Sequence, residues 1–322
     1  MTNDFTSQWE AHAKEGRKAG YFRVFPEHFL DFFISFSLNG EREFTFQWKD
    51  EKTSSEYKFG LKHIDVFQNE NGHENSLVLR LKNKELSNLF SIVCFDLAEA
   101  TRLTKSVSAG VNVFFNRLQR WSDLLSKGHS KQLSFQERLG LMGELYMVAL
   151  MIEEMNIQPE IAVRGWRGPE GDTNDIGLNG SRIEIKAQLS TQPIGLRISS
   201  LTQLADDERA LFVALHRFSA TNGALTLASL VSQISQQINT DTVVLMDFQR
   251  KLILSGYDEN DSYTEEAMKI DRSIIYRVTD GFPRLQPTSV PDGISNVAYF
   301  IDGKAIDGFI IEMPELEKVI NG

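Results

Sequence analysis

GDTNDIGLNGSRIEIKAQ, residues Gly171–Gln188, decides how the middle of the chain is read. Asn179-Gly180 lies between two extended runs, and a type I′ turn requires positive φ at both central residues, which Asn and Gly tolerate. A two-residue loop fixes the pairing: Leu178 faces Ser181, Gly177 faces Arg182, Ile176 faces Ile183 and Asp175 faces Glu184. The strand period of two then puts Asp175, Glu184, Lys186 and Gln188 on one face and Ile183, Ile185 and Ala187 on the other. Like charges placed opposite each other are destabilising, so something positive belongs between Asp175 and Glu184. Lys186 supplies part of it, and a divalent cation with hard oxygen ligands would supply more. The same alternation also suits an amphipathic edge hairpin whose polar face is merely solvated.

Upstream, Ser134 and Glu137 have the spacing of a capping box, and the run to about Glu154 predicts a largely buried helix. Glu144 is the only charged residue in Leu139–Ile152. A carboxylate on so apolar a helix is neutralised, paired with Arg138 or another base, or bound to a cation, because burying it unpaired costs several kcal/mol. Beside the hairpin it would be a third oxygen donor. Downstream, Ala210–His216 reads as a buried strand and Thr226–Ile238 as a helix, an alternation that predicts a mixed α/β unit.

The flanks read differently. From Phe22 to about Asp96 the chain predicts strands and turns (Phe29–Leu38, Glu43–Lys49, Leu61–Phe67, Ser76–Leu81) punctuated by Asn39-Gly40 and Asn71-Gly72. Ala109–Ser126 has helical spacing of Val113, Phe114, Leu118, Trp121 and Leu125, with Gly128 as a stop. After about Asn239 come a helical stretch at Asp247–Leu254, an acidic loop at Tyr257–Asp271, and strands at Ile274–Val278 and Val297–Ile311 turning at Asp302-Gly303. The expected divisions are a β-rich N-terminal domain (1–106), a basic connecting helix (107–133), an α/β core (134–235) and a C-terminal α/β extension (236–322).

With 322 residues and 41% hydrophobic content the chain can bury a sizeable core, which excludes disorder and coiled coil as its main state. The single cysteine, Cys94, suits a reducing compartment and reads as a small buried hydrophobe. Six scattered histidines, none paired at i, i+4, argue against a zinc site. No apolar run is long enough to span a membrane and the N-terminus lacks a signal core, so a cytoplasmic location is expected. A net charge of −10 disfavours a protein that coats nucleic acid with its whole surface.

The pattern of Glu144 on a helix, Asp175 before a hairpin turn and Glu184-Ile185-Lys186 on the return strand, with Gln188 two residues on, resembles the PD-(D/E)XK nuclease superfamily. Over much of the chain, including the helix around Trp121 and the segment Arg197-Ile198-Ser199-Ser200, it also resembles a bacterial family assigned to that superfamily and found near restriction and phage-defence genes. One departure is Asn174, where proline precedes the aspartate in the motif. The resemblance implies a restriction-endonuclease-like core, a mixed sheet flanked by helices. It also implies that Asp175 and Glu184 bind Mg²⁺, or Mn²⁺ in its place, with the Ile185 carbonyl and Glu144. Lys186 would orient or deprotonate the attacking water, and Gln188 would position water, metal or phosphate.

A DNA partner requires a local positive surface. Residues 101–138 hold seven basic side chains against Asp123 and Glu137, a net of +5 that leaves −15 elsewhere. Arg117 and Arg120 flank Trp121 one turn apart, Lys131 follows, and Arg164 and Arg167 frame a Gly-Trp-Arg-Gly loop before the hairpin; these five are the candidate nucleic-acid contacts. Internal salt bridges to Glu170 or Asp172 are the competing reading for that loop. Ser199 and Ser200 are expected to cap a helix running towards Leu204, with a phosphate contact as the alternative. The expected function is a Mg²⁺-dependent DNA endonuclease or the nuclease subunit of a bacterial restriction or defence system, with partner subunits or a homodimer. The alternative is a catalytically silent DNA-binding or scaffold subunit with the same fold.

Overall fold

The computed structural model describes residues 8–11, 20–49, 59, 61, 63–71, 74–126, 132–259, 261 and 266–321. Gly72, Gly128 and Lys131 lie outside the described residues. The chain divides into two compact units, one of residues 1–131 with 241–250, the other of 132–240 with 251–322.

In the first unit, apolar residues alternate along extended runs and build an antiparallel sheet in the order β1-β2-β3-β5-β4. Its strands are β1 (Phe22–Val24), β2 (Asp31–Phe36), β3 (Arg42–Lys49), β4 (Ile64–Asn71) and β5 (Glu74–Leu81). Phe32, Ile34, Phe44, Phe46, Leu77 and Leu79 are fully buried. Two helices follow, α1 (Ser87–Thr101) and α2 (Val107–Ser126). Phe114 of α2 packs its ring 4.5 Å from that of Phe46, which lies 5.1 Å from Phe32. Offset aromatic pairs of this kind add about 0.5–1.5 kcal/mol each beyond the area they bury.

Helix α1 corrects the expectation of strands and turns up to Asp96. Its residues from Phe90 to Ala98 are all buried, so no one-sided pattern marks the run as helical, and a short apolar run reads equally as a buried strand. Cys94 is fully buried there, and burial pushes its thiol well above the usual range, as suits a small hydrophobe.

Asp96 is the charged group at the centre of this unit. Its carboxylate accepts two bonds from Arg117, at 2.6 and 2.8 Å, and one from the Trp121 indole N–H at 2.7 Å, and Arg250 stands 3.1 Å away. Arg117 is thus committed inside the fold and Trp121 is buried, whereas Arg120 is exposed. The expected Arg117–Arg120 phosphate face is corrected accordingly: only Arg120 presents its charge to solvent.

The second unit holds a mixed sheet in the order β12-β10-β9-β7-β6. Its strands are β6 (Ile176–Leu178), β7 (Ser181–Leu189), β9 (Ala210–Leu225), β10 (Met268–Val278) and β12 (Ile310–Ile311), and a small separate sheet pairs β8 (Gly195–Ile198) with β11 (Tyr299–Asp302). β7 runs parallel to β9, and the remaining pairs are antiparallel. Flanking helices are α3 (Phe135–Glu153), α4 (Pro159–Gly165), α5 (Leu227–Ile238) and α7 (Met313–Asn321). Helix α6 (Thr242–Leu254) gives its residues to both units. This is the mixed α/β architecture expected.

Val297–Ile311 is not the hairpin that Asp302-Gly303 suggested. β11 pairs with β8 and β12 with β10, and two 3₁₀ turns separate them. Gly303 serves a close approach: a Cβ there would stand 2.6 Å from the Ile194 carbonyl oxygen, to which its own N–H donates at 3.0 Å. Among the described residues no helix is long and apolar enough to cross a membrane.

Removing one partner of a buried ion pair costs about 3–5 kcal/mol because the other charge is left without compensation. Asp96→Ala should therefore lower the free energy of unfolding in urea by that amount. Arg120→Ala, exposed on α2, should change it by less than about 0.5 kcal/mol.

Candidate active site

The hairpin turn forms as its residues dictate. Asn179 and Gly180 have φ of +45° and +72°, and the register is Ile176↔Ile183, Gly177↔Arg182 and Leu178↔Ser181. Strand β6 begins only at Ile176, so Asp175 lies just beyond the last ladder pair. Its backbone carbonyl accepts from the N–H groups of Arg167 and Gly168, and its Oδ2 accepts from the Ile185 N–H at 2.6 Å. The Asp175 side chain thereby occupies the edge of β7 that a longer β6 would have covered. N–H and C=O of one strand residue face the same edge, so the Ile185 carbonyl faces this side as well.

Helix α3 starts at the expected capping box, with Ser134 Oγ accepting from the Glu137 N–H and Glu137 accepting from the Ser134 N–H. It packs against β7 through Gly143, where a Cβ would stand 3.2 Å from that of Ala187 and 3.4 Å from Ile185 Cγ2. The glycine lets the helix close on the sheet, and that approach delivers Glu144. Glu144 Oε2 accepts from the indole N–H of fully buried Trp166 at 2.7 Å. Among the described residues no arginine pairs with it, and Arg138 bonds Glu266 and the Leu133 carbonyl.

Glu144 and Asp175 meet over Gly168. A Cβ at Gly168 would lie 2.9 Å from Glu144 Oε2 and 3.0 Å from Asp175 Oδ1, so the two carboxylate oxygens line the space that a side chain there would fill. Burial raises the Glu144 carboxyl to about 7; the Glu184 charge pushes in the same direction, against the Trp166 hydrogen bond and Lys186. Asp175 is raised well above the usual carboxylate range, first by burial and then by Glu184 and Glu144.

Glu184 is held from the other side of the sheet. Even-numbered residues of β7 face away from α3, whose Gly143 rests on Ile185 and Ala187. Glu184 Oε1 accepts from Lys186 Nζ and Gln203 Nε2, both at 2.7 Å, and Oε2 accepts from Asn174 Nδ2 at 3.0 Å. The positive group expected beside Glu184 is therefore Lys186.

These geometries fit a small hard cation. Among the described residues no three His, Cys, Asp or Glu side chains are gathered as a ready-made metal cage. Mg²⁺ does not require one, because it keeps several waters and is commonly held by one or two carboxylates plus substrate phosphate. Glu144 and Asp175 form such a pair, the Ile185 carbonyl faces the same edge, and Glu184 raises the negative potential from the opposite face.

The remaining expected residues are placed as follows. The Gln188 amide donates to the Gly195 carbonyl and accepts from Arg217, so both its ends are engaged away from the carboxylates. Arg164 pairs with Glu160 at 2.9 Å. Arg167, about half exposed, lies 3.6 Å from Asp172 and packs over Gly177. Ser200 caps the 3₁₀ turn Leu201–Leu204, as expected. Sequence reading missed Gly168, Gln203 and the bond from Trp166 to Glu144. A fully buried tryptophan always seeks an acceptor for its N–H, and the lone acid of the apolar helix was the available signal for that last bond.

A carboxyl raised in the folded chain binds its proton more tightly there than in the unfolded chain, so stability is present at low pH and is lost as pH rises towards 7. In EDTA the wild-type melting temperature should fall between pH 5 and pH 8. Glu144→Gln, which retains an acceptor for Trp166, should remove much of that fall and be more stable than wild type at pH 8 by roughly 3 kcal/mol. Parallel pH profiles for the two proteins would contradict the assignment.

Comparison with known proteins bears on the family. A family model described as "Putative PD-(D/E)XK family member, (DUF4420)" matches residues 5–303. No curated protein and no solved structure matches the chain. With nearly its whole length covered, the chain belongs to this PD-(D/E)XK family.

Proposed function

We propose that the chain is a Mg²⁺-dependent endonuclease that hydrolyses DNA phosphodiesters, cytoplasmic and working alone or with partner subunits in bacterial restriction or defence. The observation that carries this reading is the meeting of Glu144 and Asp175 over Gly168, with Lys186 on Glu184 at the same open end of β6. Mg²⁺, or Mn²⁺ in its place, would be held by Glu144 and Asp175 with the Ile185 carbonyl, and Glu184, expected from the sequence as a ligand, would add negative potential from the opposite face. Bound there it supplies Lewis acidity at the phosphoryl oxygen and a lowered pKa for water.

The chain's own residues supply orientation. Lys186 spends one of its three N–H bonds on Glu184 and directs the others to the attacking water and a phosphate oxygen. Its charge offsets the negative charge that grows on phosphorus oxygens in the transition state. The water oxygen bonds to phosphorus as the bond to the leaving oxygen breaks; the water gives up a proton and the leaving oxygen takes one. Arg167 and Arg164, exposed beside the hairpin, serve as phosphate contacts that set the DNA backbone in register. Arg120, exposed on the first unit, is a separate candidate contact for DNA.

Supercoiled plasmid should be cut with Mg²⁺ or Mn²⁺ and left intact in EDTA. Asp175→Ala and Lys186→Ala should each lose about a hundredfold or more in rate. Gly168→Ala should lose activity, because its Cβ displaces both carboxylate ends, Glu144 Oε2 with its bond from Trp166 among them. Arg167→Ala should weaken DNA binding and reduce the salt dependence by about one phosphate contact. Equal cleavage by wild type and Lys186→Ala would overturn the reading, and a chain that binds DNA but cuts none with either metal is the silent scaffold instead.

A further inference from the structure

Glu184 is almost fully buried, and none of its partners is an acceptor. Lys186 Nζ and Gln203 Nε2 donate to Oε1, and Asn174 Nδ2 donates to Oε2. Each amide is itself held so that its N–H side must face the carboxylate. Gln203 Oε1 accepts from the Ser199 N–H at 2.9 Å, and Asn174 Oδ1 accepts from Arg182 Nη1 at 3.1 Å. Reversing either amide would set oxygen against oxygen at Glu184 and a donor against a donor at its other end.

The clamp continues outward. Asn174 Nδ2 also donates to the Gln203 carbonyl at 2.8 Å, tying the loop before the hairpin to the 3₁₀ turn Leu201–Leu204. Arg182, buried on the same face of β7 as Glu184, donates to the Ala205 carbonyl at 2.8 Å and lies 3.1 Å from Asp207. Three separate segments therefore fix one carboxylate: residue 174 before the hairpin, residues 182 and 186 on its return strand, and residue 203 on the connection to β9. A proline at position 174, as the motif has it, would offer no side-chain donor. The asparagine is thus a feature of this chain that supplies one arm of the clamp.

We propose that Asn174 and Gln203 are positioning residues of the active site. They fix the plane of the Glu184 carboxylate, and through it Lys186 Nζ, so that the negative potential and the lysine are presented to the cation and the phosphate in one geometry. The inference rests on the nuclease reading and deepens it. Groups that hold a metal-site carboxylate typically change affinity or activity about 10–100-fold when removed.

The test measures Mn²⁺ affinity of the full chain from the electron paramagnetic resonance signal of free Mn²⁺, a readout independent of cleavage, alongside the melting temperature in EDTA. Gln203→Ala frees the Ser199 N–H, which is exposed to water, and leaves Glu184 Oε1 to Lys186 alone, while Gln203→Met keeps the length of the side chain as a guard against loss of fold. Both should bind Mn²⁺ about 10–100-fold more weakly and lose a comparable factor in cleavage, while still melting cooperatively in EDTA. Asn174→Ala, acting on the other oxygen of Glu184, should show the same loss of Mn²⁺ affinity. If wild type binds Mn²⁺ and cuts DNA and the Gln203 variants match it, the positioning role is overturned while the nuclease reading stands. If wild type binds no Mn²⁺ and cuts nothing, both are overturned.

Discussion

Mutual repulsion among Glu144, Asp175 and Glu184 is the constraint around which the second unit is arranged. Burial raises the proton affinity of Glu144 and Asp175, and the Glu184 charge raises both further, with Glu144 adding to the rise at Asp175. The fold answers with donors brought from separate segments: the Trp166 indole for Glu144, the Ile185 N–H for Asp175, and Lys186, Asn174 and Gln203 for Glu184. All but one of these donors are neutral. They orient the carboxylates and leave most of the negative charge uncancelled. Well-packed apolar side chains would stabilise such a place better than three acids, so the cluster is a cost to stability.

Two glycines give that constraint its shape. Gly143 lets α3 close on β7 and so delivers Glu144, and Gly168 leaves open the space in which Glu144 and Asp175 meet. Neither glycine is needed for a turn with positive φ. What they supply is room, helix against sheet in one case and carboxylate beside carboxylate in the other.

The parts of this site governed by local rules were legible in the sequence. Asn179-Gly180 dictates its turn and register, Ser134 and Glu137 dictate the start of α3, and a single acid in an apolar helix announces itself. The parts that depend on how the chain returns were not. Gln203 reaches Glu184 only because the connection from β7 to β9 crosses the face opposite α3, and nothing near residue 203 encodes that path. Asp175 was extrapolated as a ladder partner of Glu184, but the ladder stops at Ile176 and its carboxylate turns into the strand edge instead. Helix α1 was hidden because burial on every side erases the period that distinguishes a helix from a strand. Charge counting failed for a related reason: the +5 of residues 101–138 includes Arg117, whose charge is spent on Asp96.

The brevity of β6 follows from the same geometry. α3 brings Glu144 to one face of β7, while Glu184 and Lys186 stand on the other. A full-length β6 would seal the edge between them with backbone hydrogen bonds and keep the two groups apart. With only three residues, β6 pairs with Ile183 and no further, so that the Ile185 N–H bonds Asp175 rather than another strand. The edge that β6 leaves unpaired is the one on which Asp175 meets the Ile185 N–H. On the proposed reading, substrate enters along the plane of the sheet, and the strand that stops early is what admits it.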